Sequence, residues 1–357
     1  MAEKKPPLAH TLGHAPAVRQ FGAFFLSGRD ANVVKCVHKE VFTERASALP
    51  GAKPRQVFVE PPAGLWPAVN ARGSCRVQQF IYLRRGERVL LNIKHTDAGQ
   101  AVPTLLLYDL RGGAVERIEF KDLRRLHFVH VACGTTNPNS LFCLTKDSPQ
   151  TVYHYDLARR KTLGVVRLEG RTPFSLLCAF PLDEQWLVFA GRRTTAVRTL
   201  RVGELSAGGE ICLKRVSERG PRLMEWAAPG ELALAGDCAP AVVFLRVHGY
   251  GRLDLLGRVD CAAHVGPVAL PAQLKACGQS LLAAFSQGSV LRLVGEEGRW
   301  AVAAVLHAAR PRLSLLSVDA GEAGLLLGYS HAQHLLCPAA LLSAGSPEEV
   351  ASLHACT

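Results

Sequence analysis

No run in this 357-residue sequence is apolar for long enough to cross a bilayer as a helix. The piece from Trp300 to Leu306 falls far short of the roughly 18–20 residues required. No Cys-x-x-Cys occurs, and no two of the 11 cysteines lie closer than Cys133 and Cys143. The spacing of a zinc knuckle or a dithiol redox site is therefore missing. Also absent are a Gly-x-Ser-x-Gly nucleophile elbow, a His-Glu-x-x-His zinc helix and a Gly-x-x-x-x-Gly-Lys phosphate loop. His127 with His130, and His331 with His334, are spaced so that on a strand each pair faces opposite sides, which argues against shared metal ligation. Acidic residues are the scarcer charge, 30 against 42 basic ones, for a net charge of +12. The residues after Met1, Ala-Glu-Lys-Lys-Pro-Pro, lack the apolar centre of a signal peptide. These absences lead to the expectation of a non-catalytic intracellular chain, cytoplasmic and/or nuclear, with no cofactor and no metal. Most cysteines stand beside apolar residues, as Cys178 and Cys212 do, and are expected to be reduced and structural.

What is present is a folded composition, 48% hydrophobic with 20% charged residues, and a repeat. A small residue followed by alternating apolar positions recurs at Asn32, Thr104, Thr151, Ala196, Ala241, Ser289 and, more degraded, Ala332. From Thr104 the starts are 47, 45, 45, 48 and 43 residues apart. The first gap, 72 residues, is one period plus an insertion. Each instance follows another apolar run and a turn, as a hairpin requires; SLFCLTKDSPQ precedes Thr151 and ELALAGDCAP precedes Ala241. The runs are too short and too often punctuated for helices. Leu- and Val-rich runs between Gly, Asp and Pro suit strands buried on both faces.

Several residues give the repeat a resemblance. Tyr108-Asp109-Leu110 and Tyr155-Asp156-Leu157 look like the Trp-Asp ending of a third blade strand. Gly13-His14 and Ala263-His264-Val265-Gly266-Pro267-Val268 look like the Gly-His that opens a blade, and Asp30, Asp147 and Asp237 stand where a hairpin turn usually has Asp. The chain thus resembles the WD-repeat β-propellers. The resemblance implies an all-β, seven-bladed propeller of four-stranded blades, its ring closed by an N-terminal strand from about residues 7–12, and structural roles for these His and Asp residues. The expected organisation is a tail over residues 1–6, the propeller over 7–345 with a loop insertion over about 42–79, and a tail over 346–357.

The insertion carries Trp66 among prolines and glycines, either packed back on the ring or offered as an aromatic anchor. Leu83-Arg84-Arg85-Gly86 is similar to the Leu/Phe-Arg-Arg-Gly signature of the phosphoinositide-binding propellers called PROPPINs, but falls in an early turn between two apolar runs. Lys121, Arg124 and Arg125 precede Leu-His-Phe, a mixture that an RNA surface or a solvated loop could both use, and Arg192-Arg193 occupy an expected turn. Trp66, Arg84, Arg85, Lys121, Arg124, Arg125, Arg192 and Arg193 are the candidate interaction residues. The functional expectation is a scaffold binding protein subunits of a multiprotein complex. The alternative is a basic rim that takes RNA or a phosphoinositide.

Overall fold

The computed structural model describes residues 21–24, 35–38, 75–83, 88–97, 100–109, 115–118, 128–134, 137, 139–145, 150–168, 174–181, 184–191, 194–202, 207–214, 219–307, 315–321, 324–329 and 334–337. Strands β1 (Phe21–Phe24) and β2 (Lys35–His38) form a two-stranded sheet. Five four-stranded antiparallel meanders follow. The first is β3 (Cys75–Leu83), β4 (Arg88–Asp97), β5 (Gln100–Asp109) and β6 (Val115–Arg117). The second is β7 (Phe128–Cys133), β8 (Ser140–Thr145), β9 (Thr151–Asp156) and β10 (Lys161–Arg167). The third is β11 (Leu176–Ala179), β12 (Trp186–Gly191), β13 (Thr194–Arg201) and β14 (Ala207–Cys212). The fourth is β15 (Leu223–Ala228), β16 (Glu231–Ala235), β17 (Ala241–Val247) and β18 (Leu253–Asp260). A short helix, α1 (Ala262–Val265), then leads to β19 (Pro271–Cys277), β20 (Ser280–Phe285), β21 (Val290–Glu296) and β22 (Arg299–His307). A three-stranded sheet, β23 (Leu315–Gly321), β24 (Gly324–Tyr329) and β25 (His334–Cys337), comes last. The repeat instances from Thr104 onward fall on or against the third strands β5, β9, β13, β17, β21 and β25. Cys75 to Gln79, the end of the expected insertion, belong to β3.

Burial follows strand order within a sheet. Second strands are the driest: β8 and β12 are buried along their whole length. The outermost strand β10 instead alternates, with four of its seven residues exposed. A strand with an apolar residue on both faces serves two cores, because successive side chains point to opposite sides. Leu141 and Cys143 join Leu90 and Leu105 of the preceding sheet, whereas Phe142 and Leu144 join Leu177 and Phe189 of the following one. Leu232 and Leu234 likewise face back toward Val188, and Ala233 and Ala235 face forward toward Leu281. The consecutive sheets from β3 to β22 are thus glued together by burial worth about 2–3 kcal/mol per large apolar side chain.

Polar side chains fasten the sheets as well. Gln273 on β19 donates from Nε2 to Val318 O of β23 at 3.0 Å and accepts from Val318 N at 2.6 Å. Gln150, just before β9, clamps Phe174 in the same two-bonded way, at 2.9 and 2.6 Å. Trp226 Nε1 donates to Ala179 O at 2.9 Å, and His130 bonds the Leu177 backbone. Each of these bonds ties consecutive sheets together, those of Gln273, Trp226 and His130 between first strands and that of Gln150 from the start of a third strand, and satisfies polar groups at the seams.

Candidate interaction surface

The turn joining β17 to β18 reads His248-Gly249-Tyr250-Gly251-Arg252. His248 N donates to Arg252 O at 3.0 Å and Gly251 N to His248 O at 2.8 Å, which closes a tight loop. Gly251 has φ 84°, and a Cβ there would lie 2.3 Å from the Trp186 ring, so both backbone and space demand glycine. Trp186 belongs to the preceding sheet. From that same sheet the Thr199 hydroxyl donates to Gly251 O, and Gly209 N donates to the same carbonyl at 3.0 Å. The loop of one sheet is therefore clasped by the side of another.

Above this base, Tyr250 is 63% exposed. Its ring stacks on His248 with centroids 5.4 Å apart and 19° between planes. His248 Nε2 lies 2.8 Å from Asp254 Oδ2, and Arg252 Nε donates to Asp254 Oδ1 at 3.0 Å. The His248 hydrogen bond first, and then that of Arg252, hold the Asp254 carboxyl below its ordinary range. With its carboxylate occupied, the cluster offers an aromatic face and a guanidinium held in one geometry. Tyr and Arg are the residue types that most often carry binding energy at protein interfaces, and preorganisation lowers the entropy lost on binding.

Other turns at this end of the sheets are braced similarly. Asp156 Oδ1 accepts from Ala158 N and Arg159 N, both at 2.9 Å, and Arg160, at φ 53°, reaches Glu116 of the preceding sheet at 3.1 Å. Trp300 Nε1 donates to Glu231 Oε2 at 2.8 Å while Arg246 pairs with Glu231 Oε1 at 2.7 Å, and the Trp300 ring stacks on Phe244 at 4.5 Å. Of these turns, the one at Tyr250 presents the exposed aromatic. Its signature in sequence is a tyrosine between two glycines, a signal that a search for basic pairs passes over.

Trp66, Arg84, Arg85, Lys121, Arg124, Arg125, Arg192 and Arg193 all lie outside the described residues. Leu83 and Arg88, which flank the first arginine pair, sit at the Tyr250 end of the sheets. Gly191 and Thr194, which flank the second, sit at the opposite end, as do Ile118 and Phe128 on either side of Lys121. Gly13, His14, Asp30 and Asp147 are likewise outside the described residues. Cys212 is exposed rather than packed as a hydrophobe; the Thr195 hydroxyl beside it, and then Lys214, draw its thiol below the usual range. Among the described residues, no three His, Cys, Asp or Glu side chains gather as a metal site would require, and no helix is long and apolar enough to cross a membrane.

No protein-family model matches this sequence, and no curated protein matches it. Solved structures do. A chain of the mitotic checkpoint complex superposes with a TM-score of 0.58 at 9% identity, covering 89% of this chain and 88% of its own. The β-propeller domain of Cps50 (Swd1) from Myceliophthora thermophila gives 0.54 at 10% identity, covering 74% and 86%. A protein from Lactobacillus plantarum gives 0.51 at 12%, covering 68% and 75%. The chain folds as a β-propeller. The two Tyr-Asp pairs that carried the resemblance stand at the ends of third strands, Tyr108-Asp109 on β5 and Tyr155-Asp156 on β9. Asp237 stands in the expected hairpin turn between β16 and β17, paired at 3.7 Å with Arg222. His264, which the resemblance places at the opening of a blade with a structural role inside it, is instead exposed on α1 between β18 and β19.

Proposed function

We propose that this propeller is a non-catalytic platform that binds protein subunits of a larger assembly, with the turn around Tyr250 as one contact. The observation that carries this reading is the clasped loop: an exposed aromatic and an arginine fixed on two blades at once. A structural neighbour taken from a checkpoint complex fits a protein-binding role. We further infer seven blades in a closed ring. In support, the repeat period continues through the last sheet, and β1 lies against β23. Trp66, Arg84, Arg85, Lys121, Arg124, Arg125, Arg192 and Arg193 are proposed as further contact residues of the same platform.

The test is affinity purification of the tagged protein from its own cells, with and without nuclease, beside a variant carrying Tyr250→Ala and Arg252→Ala. Stoichiometric protein partners that survive nuclease, and fall at least about tenfold in the variant, are expected. Such a drop is feasible without unfolding because Tyr250 is mostly exposed. Recovery of no stoichiometric protein would overturn the reading. Partners that vanish with nuclease would replace it with nucleic-acid binding through the basic residues.

A further inference from the structure

Outermost strands of propeller blades are edges, and an edge exposes backbone groups that another strand could pair with. Among the described residues nothing pairs with the outer side of β10. Leu168 N donates to Gln150 O, in register with Val166 opposite Val152. From Gly164 onward the alternation of an antiparallel ladder directs the N–H and C=O of Val165 and Arg167 outward, and a bulge between Thr162 and Gly164 shifts the register by one residue on the Lys161 side. Lys161, Leu163, Val165 and Arg167 are all exposed, with Leu163 and Val165 at 46% and 49%.

This combination sets β10 apart from β14, β18 and β22. On β14 the exposed positions are Ala207, Gly208, Glu210 and Cys212, and on β22 they include Ala301 and Ala303. β18 exposes Leu255 alone among large apolar residues, on a strand with Asp254 and Asp260. Only β10 among the four pairs two branched apolar side chains and brackets them with cations. Self-pairing is opposed by that bracket. Two copies laid antiparallel about Gly164 would match Leu163 with Val165 but set Lys161 against Arg167 at both ends, a like-charge arrangement that destabilises a ladder. Arg159 and Arg160 in the adjoining turn are exposed but already paired with Asp156 and Glu116, which leaves Lys161 and Arg167 as the bracket.

We propose that β10 is a docking edge for an extended segment of another protein, added antiparallel as a fifth strand, with two apolar residues over Leu163 and Val165 and an acidic residue at each end. The backbone ladder supplies affinity, and the charged ends supply register and choice of partner. This surface lies on the outside of a blade and does not depend on the Tyr250 turn.

The probe is a fluorescent peptide in which two valines alternate with threonines between a glutamate at each end; its control has lysines at the ends. Titrated into the full-length protein at low salt, the acidic peptide is expected to bind at least about tenfold more tightly than the control. Leu163→Thr with Val165→Thr, both on the exposed face, should weaken it by a similar factor while leaving the melting temperature in place. Lys161→Glu with Arg167→Glu should reverse the preference, so that the lysine-ended peptide binds better. Equal binding of the two peptides, indifference to the threonine pair, or no reversal in the glutamate pair would each overturn the proposal. So would dimerisation of the protein that the threonine pair abolishes.

Discussion

His130 on β7 illustrates how burial alters one titration. Burial pushes its ring down to about 4, against the opposing pull of its hydrogen bond to the Leu177 backbone, and its Nδ1 is buried with no partner. An unfolded chain protonates the same ring near pH 6.5. Between those two values the unfolded state holds more protons, so stability is full above about pH 6.5 and falls as pH drops toward 4. Urea denaturation should show a loss through this group of about 1–2 kcal/mol between pH 7 and pH 5. His130→Gln should lose that much less over the same interval. An equal loss in both proteins would mean that His130 is not held neutral.

At the scale of elements, the first strands β19 and β23 meet through Gln273, whose amide satisfies both backbone groups of the buried Val318. A leucine would fill similar space and strand both groups. Gln273→Leu is therefore expected to cost about 2–4 kcal/mol in denaturant unfolding. Gln279→Leu, on the exposed turn before β20, should stay within about 0.5 kcal/mol. Similar costs at the two sites would show that the amide clamp contributes nothing beyond packing.

For the whole molecule, the last sheet has three described strands, and the proposed closure brings it a fourth from residues 7–12. Closing a ring removes two blade edges at once, so its strand should matter out of proportion to its length. Deleting residues 1–12 is expected to lower the melting temperature by about 10 °C, read by calorimetry. An unchanged melting curve would exclude closure by that segment.

Periodicity was enough to place the strands. The alternation starting at Thr104, Thr151, Ala196 and Ala241 predicts third strands, and those residues lie in β5, β9, β13 and β17. The signal is local, because a strand's pattern depends on its own two faces. Composition was a poorer guide to exposure. Cys212 sits next to Ile211 in sequence yet faces solvent, because β14 is an outermost strand with only one neighbour. The Tyr250 loop was not legible at all: its clasp comes from Trp186, Thr199 and Gly209, about 40 to 65 residues earlier in the chain. The charged bracket on β10 could be read as KTLGVVR, but not that it lies on an open edge. Amino-acid order determined the repeat, the strands and the propeller; the stacking of neighbouring sheets decided which side chains face a partner, because exposure is set by what lies opposite a strand and not by the strand itself.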